Sequence, residues 1–255
     1  MNFSRLVIAD DFGFNHANDK SMLGLCSKGK IDGVSVFPRY ISDKDINSLL
    51  LLRESNNIKI GLHFNLTIDA NKKSLMSIKK LLIYSFCGFL NKKLISKEFE
   101  DQLNLFQEKF GCYPDFIDGH EHVHAFPLIA KVICAKLNQI EYSGLVRFVG
   151  SRSREILFRS IKYSFFLKFI TLEILSINQR KELCKNNLKF NQQFDGLLPQ
   201  NPSDKLPEIL AEIYSKKNLG STLIMCHPGF QEKESTDNFF LSKDRAIEAN
   251  FLIGE

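Results

Sequence analysis

The 255-residue sequence has no Cys-x-x-Cys pair, no dense run of basic side chains, no internal repeat and no low-complexity linker. Its six cysteines, at 26, 87, 112, 134, 184 and 226, are scattered. That spacing excludes a thiolate metal site and a paired disulfide framework, and reads as reduced, mostly buried thiols of a cytosolic protein. No uncharged apolar run reaches the roughly eighteen residues that a membrane-spanning helix needs. The N-terminus shows no basic-then-apolar leader with a small-residue cleavage site, so the expected location is cytoplasmic. A net charge of +5, with lysines spread over loops and helix faces, excludes nucleic acid as the expected partner. What remains is ample material for a core: 44% hydrophobic residues, 23 of the chain being Phe. The expectation is one domain over residues 1–255, a length at which α/β barrels are routine.

The pattern along the chain alternates strand and helix. Arg5 to Ala9 is a short β-branched strand that stops at Asp10-Asp11-Phe12-Gly13, followed by a helix from Asn18 to Lys28. Ile31 to Phe37 reads as the second strand and Asp45 to Asn56 as a helix, and Lys59 to Thr67 is a third strand containing His63. Residues 69–93 read as a loop with a short helix. Ser96 to Phe110 is an amphipathic helix, with Ser96 as its cap and Gly111 as its stop. Pro114 to Asp118 is a strand, Leu128 to Leu137 a helix and residues 144–149 a strand carrying Arg147. From Glu155 to Leu175 a wide apolar face rich in Phe is broken by Arg159, Lys162 and Lys168. It fits a core helix, a lid, an oligomer contact or a surface that meets a lipid-like substrate. Residues 186–199 read as a loop, Pro207 to Lys216 as a helix, and Ser221 to Cys226 as a late strand ending at His227.

Half of the six histidines fall in Asp118-Gly-His-Glu-His-Val-His124. Imidazole and carboxylate together are the ligand set of a borderline divalent cation such as Zn²⁺, and carboxylates also suit Mg²⁺. In an extended segment His120, His122 and His124 would share one face; in a helix only His120 and His124 would. Further ligands must come from elsewhere. Asp10/Asp11, His63, the histidine cluster and His227 all stand at strand ends, which in a β/α barrel open on one face. The two adjacent acids are expected to point opposite ways along their strand, one toward a metal and one toward the substrate. Asp plus two His leaves positions open for water and substrate, the layout of a hydrolytic site; a second carboxylate then serves as general base. An amide or ester hydrolase fits this outline, and so does a metal-dependent phosphoesterase. Arg147 is either a core-edge ion pair or the partner of an active-site acid.

Four ordered motifs carry a resemblance. Ala9-Asp-Asp-Phe-Gly13, Gly61-Leu-His-Phe-Asn-Leu-Thr67, Asp118 to His124 with Pro127, and Cys226-His-Pro-Gly-Phe230 resemble the YdjC/ChbG carbohydrate deacetylases. The middle of the chain, from Arg180 to Phe194-Asp-Gly196, is similar to the hopanoid-associated HpnK-like branch. The resemblance implies a single-domain α/β protein, a TIM-like β/α barrel related to NodB-type deacetylases. It implies removal of acetyl from an N-acetylated sugar or oligosaccharide with one divalent cation, Mg²⁺ or Zn²⁺; the Phe-rich face of residues 155–175 adds a glycolipid as a further substrate reading. By position, Asp11, His63 and His120 match the metal ligands, Asp10 the general base, and His227 the group assisting leaving group or oxyanion. Asp118 is expected to hold a ligand imidazole in its tautomer, and Arg147 to pair with Asp10 and keep it ionised. His122 and His124 are expected beside the site, His124 as the substrate contact. A non-catalytic glycan-binding relative is a further reading of the same pattern, and a homo-oligomer is a further reading of the 155–175 face.

Overall fold

The computed structural model describes residues 4–69, 71–151, 153–199, 202–215, 220–230 and 243–254. Among them, eight strands form one all-parallel sheet: β1 (Arg5–Phe12), β2 (Gly33–Val36), β3 (Lys59–Phe64), β4 (Phe116–Gly119), β5 (Leu145–Val146), β6 (Lys189–Phe190), β7 (Gln193–Asp195) and β8 (Thr222–Cys226). Their order is β6-β5-β4-β3-β2-β1-β8-β7. The two edge strands, β6 and β7, are consecutive in the chain with only Asn191 and Gln192 between them. The sheet therefore curls until its edges meet through the backbone, which gives the TIM-like barrel expected from the strand–helix alternation. Asn191 makes the join. Its Oδ1 accepts from Phe148 N at 2.8 Å, and its Nδ2 donates to the carbonyls of Phe148 (2.9 Å) and Gln193 (2.8 Å).

Nine helices surround the sheet among the described residues: α1 (His16–Ser27), α2 (Asp43–Asn56), α3 (Ile78–Cys87), α4 (Lys92–Phe110), α5 (Pro127–Gln139), α6 (Arg154–Lys162), α7 (Phe166–Lys185), α8 (Leu206–Tyr214) and α9 (Lys243–Ile253). Short polar residues set several starts: the side chains of Asn15, Ser42, Ser77 and Asn91 accept backbone N–H groups of the first turns of α1 to α4. Each strand buries its apolar residues against these helices in one continuous core that includes Ile8, Val34, Ile60, Ile117 and Ile224. Each such side chain contributes about 1.5–3 kcal/mol by leaving water. At Gly61 the packing leaves no room for a side chain, since a Cβ there would lie 2.2 Å from the Phe116 ring.

Several boundaries differ from the sequence reading for local reasons. α4 starts four residues earlier, capped by Asn91, while the Ser96 hydroxyl donates to Glu100 instead. The 155–175 stretch is two helices, because Ser164 adopts φ 62° between α6 and α7. Its Phe165, Phe169 and Leu172 are buried, so the segment is partly core. Residues 186–199 contain β6 and β7, too short to show a period in the sequence. Lys216, the expected last residue of α8, lies outside the described residues. The described cysteines are free, but only Cys26, Cys134 and Cys226 are buried, and Cys87 and Cys184 are exposed. No described helix is long and apolar enough to cross a membrane.

Candidate active site at the strand ends

The carboxyl end of β1 breaks the rule that adjacent strand residues face opposite ways. The register with β2 shifts between Ala9 and Phe12, and Asp11 adopts φ 67°. A non-glycine residue in that region costs of the order of 1–3 kcal/mol and persists only where its surroundings enforce it. The consequence is that Asp10 and Asp11 both line the same cavity, contrary to the expectation of opposite faces.

The cavity, about 780 Å³, lies at the carboxyl ends of the strands. Three donors converge at its base. Asp11 Oδ1 stands 3.1 Å from His120 Nδ1 and 3.3 Å from His63 Nε2. Those three atoms lie within 4.8 Å of one another. His63 Nε2 is buried and makes no hydrogen bond. A second cluster, Asp10, His63 and Asp118, shares His63 with the first.

What fixes His63 is its other nitrogen. Nδ1 donates to Asp118 Oδ1 at 2.6 Å, which directs Nε2 toward Asp11. Ser35 on β2 donates to the same Asp118 oxygen at 2.5 Å and lies 3.0 Å from Nδ1. Asp118 Oδ2 sits 2.6 Å from Arg147 Nη2. Arg147, entirely buried, also forks onto Asp10, with Nη1 to Oδ2 at 2.6 Å and Nη2 to Oδ1 at 2.7 Å. One chain of contacts thus runs Ser35–Asp118–Arg147–Asp10 behind the donors. The structure brings together Asp10, Asp11, His63, Asp118, His120 and Arg147.

The 120–125 segment is neither extended nor a regular helix. Glu121 and His122 are successive left-handed residues (φ 52° and 59°) within a 3₁₀ stretch. This kink sends the three histidines to three destinations. His120 turns to Asp11, and His122 lines the cavity with its ring 5.5 Å from that of Phe194. His124 is buried away from the cavity wall, its Nε2 donating to the Arg147 carbonyl at 2.9 Å. Of the two histidines expected beside the site, His122 lines the cavity and His124, expected as the contact, does not. Gln179 of α7 donates to the same carbonyl at 2.8 Å, so the backbone of Arg147 is fixed from two sides.

The far wall comes from α9, which the sequence reading did not connect to the site. Arg245 Nη2 donates to Asp11 Oδ2 at 2.7 Å, leaving Oδ1 for the donor cluster. Glu248 Oε2 accepts the backbone N–H of His227 at 2.6 Å and holds that residue on the cavity wall. Phe37 packs edge-on against His63 and His120, with centroids 4.7 and 5.2 Å apart. No spacing rule flags Ser35, Arg245 or Glu248. Their only signal is polarity inside otherwise buried patterns.

The electrostatics follow from this crowding. Burial alone would lower the His63 imidazole, but the carboxylates of Asp118, Asp11 and Asp10 overrule it and push it up to about 10. Burial works against ionisation of Asp11 as well, yet His120, His63 and Arg245 hold it well below the usual range. Asp118, opposed by burial but faced by Arg147 and His63, falls to about 2. Asp10 is raised by burial despite its guanidinium partner. His227 drops to about 3 through burial and is a neutral imidazole. Two imidazole nitrogens and a carboxylate oxygen directed at one point in such a field suit a divalent cation.

A curled parallel barrel with a buried Asp/His cluster at its strand ends defines the class: a β/α-barrel protein with a candidate metal centre. The chain belongs to the YdjC-like protein family, which it matches over residues 5–255. It is 26% identical to a carbohydrate deacetylase of Xenopus laevis, over 97% of this chain and 90% of that protein. It is 25% identical to a chitooligosaccharide deacetylase of Yersinia pestis (strain Pestoides F), over 88% and 81%. A crystal structure from Enterococcus faecalis V583 shares the fold, with a TM-score of 0.63 at 18% identity over 99% of this chain and 91% of that one. The lactam utilization protein of Thermus thermophilus does so at a TM-score of 0.53 and 12% identity, over 99% and 98%.

Proposed function

We propose that this protein is a divalent-metal-dependent carbohydrate N-deacetylase, hydrolysing the acetamide of an N-acetylated sugar or sugar conjugate. One observation carries the reading: Asp11 Oδ1, His63 Nε2 and His120 Nδ1 converge beside an arginine-held Asp10 at the base of a cavity. Relatives named carbohydrate and chitooligosaccharide deacetylase supply the substrate class. Asp11, His63 and His120 would hold one Mg²⁺ or Zn²⁺. Such a cation supplies Lewis acidity toward the amide carbonyl and lowers the pKa of water.

The remaining roles belong to the chain. Asp10 takes the proton of the attacking water as general base, and its raised carboxyl improves it as an acceptor. The fork from Arg147 fixes its orientation. Once protonated, Asp10 returns that proton to the departing amine nitrogen as the C–N bond breaks, which leaves acetate and a free amino sugar. His227, a neutral imidazole, donates a hydrogen bond to the carbonyl oxygen as negative charge develops there. His122 contacts the sugar from the cavity wall, while Asp118 and Ser35 keep the His63 tautomer. Leu172, Leu175 and Phe126 give one wall an apolar face for the acetyl methyl and the sugar ring.

The test is acetate release from a panel of acetylated sugars and glycolipids by metal-reconstituted wild type and Asp10→Asn, with an aryl phosphate as control. Release by wild type alone supports the reading. Turnover of the phosphate without acetate release would transfer the site to phosphoester hydrolysis.

A further inference from the structure

Charge and apolar exposure are concentrated at one place on the surface. Between Asp69 and Glu98 the sequence carries seven lysines and no carboxylate, leaving 27 basic and 29 acidic residues elsewhere. This stretch contains α3 and the start of α4. On α3, Lys79, Leu82, Ile83 and Phe86 follow a helical i, i+3, i+4, i+7 spacing, and the first two line the cavity described above. Ile83, Phe86 and, just beyond the helix, Phe89 are each more than half exposed, Phe89 at 73%. Across the cavity mouth, α7 contributes Leu167, which lines it and is 80% exposed, with Ile174 and Ile177 also more than half exposed along the same helix. α3 and α7 both pack on α5, so the two exposed rows flank one opening. Among the described residues no carboxylate comes within salt-bridge distance of Lys79, Lys80, Lys92 or Lys93.

We propose that this rim, formed by α3, the start of α4 and α7, docks the protein peripherally on an anionic lipid bilayer, with the cavity mouth facing the membrane. Exposed Ile, Leu and Phe interleaved with lysines that face no carboxylate match a bilayer interface, where the rings enter the acyl boundary and the ammonium groups meet anionic headgroups. A second copy of the chain fits less well, because a two-fold contact would set the lysines of one rim against those of the other. Since no described helix spans a bilayer, the association is interfacial.

The experiment is co-sedimentation of the full chain with vesicles of phosphatidylcholine alone and with vesicles of equal parts phosphatidylcholine and phosphatidylglycerol. No sugar is present, so the result is independent of the deacetylase reading. The expected result is binding to the anionic vesicles only, weakening as salt rises. Lys92→Gln/Lys93→Gln should lose about fivefold in partitioning per lysine removed. Phe86→Ser/Phe89→Ser should lose roughly tenfold or more, and both variants should keep the wild-type melting temperature. Absence of wild-type binding to anionic vesicles overturns the proposal, and so does binding that both variants retain. A wild-type dimer that dissociates in Phe86→Ser/Phe89→Ser, without vesicle binding, would reassign the rim to contact between copies.

Discussion

Replacing Asp118 by Asn should lower both thermal stability and metal affinity, for reasons that can be worked atom by atom. The carboxylate is fully buried and faces three partners: His63 Nδ1 at 2.6 Å, the Ser35 hydroxyl at 2.5 Å and Arg147 Nη2 at 2.6 Å. All three are donors, so an amide cannot serve them all. With its oxygen toward His63 and Ser35, the new NH₂ opposes Arg147; with the amide reversed, it opposes the other two. Arg147 retains its fork onto Asp10, so the loss is one buried ion pair plus a donor facing a donor, roughly 2–4 kcal/mol. For a chain of this length that corresponds to a fall in melting temperature of about 5–15 °C. Weakening the orientation of His63 should also cost about 10–100-fold in metal affinity. Thermal unfolding in excess chelator isolates the first effect, and zinc competition against a chromophoric chelator reads the second. An Asp118→Asn variant with unchanged melting temperature and metal affinity within about twofold of wild type would refute the assigned role.

Other consequences are as direct. Asp10→Asn should bind one equivalent of metal as the wild type does while turnover falls roughly 10²–10⁴-fold; loss of metal along with activity would move Asp10 into the ligand set. Burial raises Asp19 to about 7, although the Gly13 N–H pulls it back. The folded state therefore holds a proton that the unfolded chain, titrating near its ordinary value of about 3.9, releases. Stability from this group is present at low pH and lost as pH rises through that window. Asp19→Asn should accordingly gain on wild type more at about pH 8 than at about pH 4, and equal differences in urea midpoints at the two values would count against it. Gly61→Ala must push a methyl into the Phe116 ring and should cost about 1–3 kcal/mol in chemical denaturation; a neutral substitution there would mean β3 and β4 pack more loosely than described.

How far the sequence could be read depended on how local each signal was. Strand ends were visible because β-branched runs stop at polar motifs, and five of the six residues now joined around His63 belong to those motifs; Arg147 stood out as the one charge in an apolar strand. The side-chain directions were not visible. Asp10 and Asp11 reach one cavity only because the register slips and Asp11 turns left-handed, which follows from contacts with β2 and α9 and not from the Asp-Asp pair itself. The same holds for His120, His122 and His124, which neither a period of two nor one of 3.6 could separate, since two successive left-handed residues obey no period. Ser35 is one hydroxyl inside a short buried strand, indistinguishable by pattern from any other. Arg245 and Glu248 lie more than two hundred residues from Asp10 and Asp11, and α9 has no marked apolar stripe to announce which side faces inward.

The contribution of α9 also bears on the order in which the site can be completed during synthesis. β1, carrying Asp10 and Asp11, is synthesised before the other described strands, while Arg245 and Glu248 follow only after every strand of the sheet has been made. Translation at roughly 5–20 residues per second separates the synthesis of β1 from that of α9 by roughly ten to fifty seconds. Until α9 is made, the Asp11 carboxylate lacks the Arg245 guanidinium and the His227 backbone N–H lacks its Glu248 acceptor. All the strands are thus made before the residues of the site are complete, and α9 acts as the clasp that closes the site at one carboxylate.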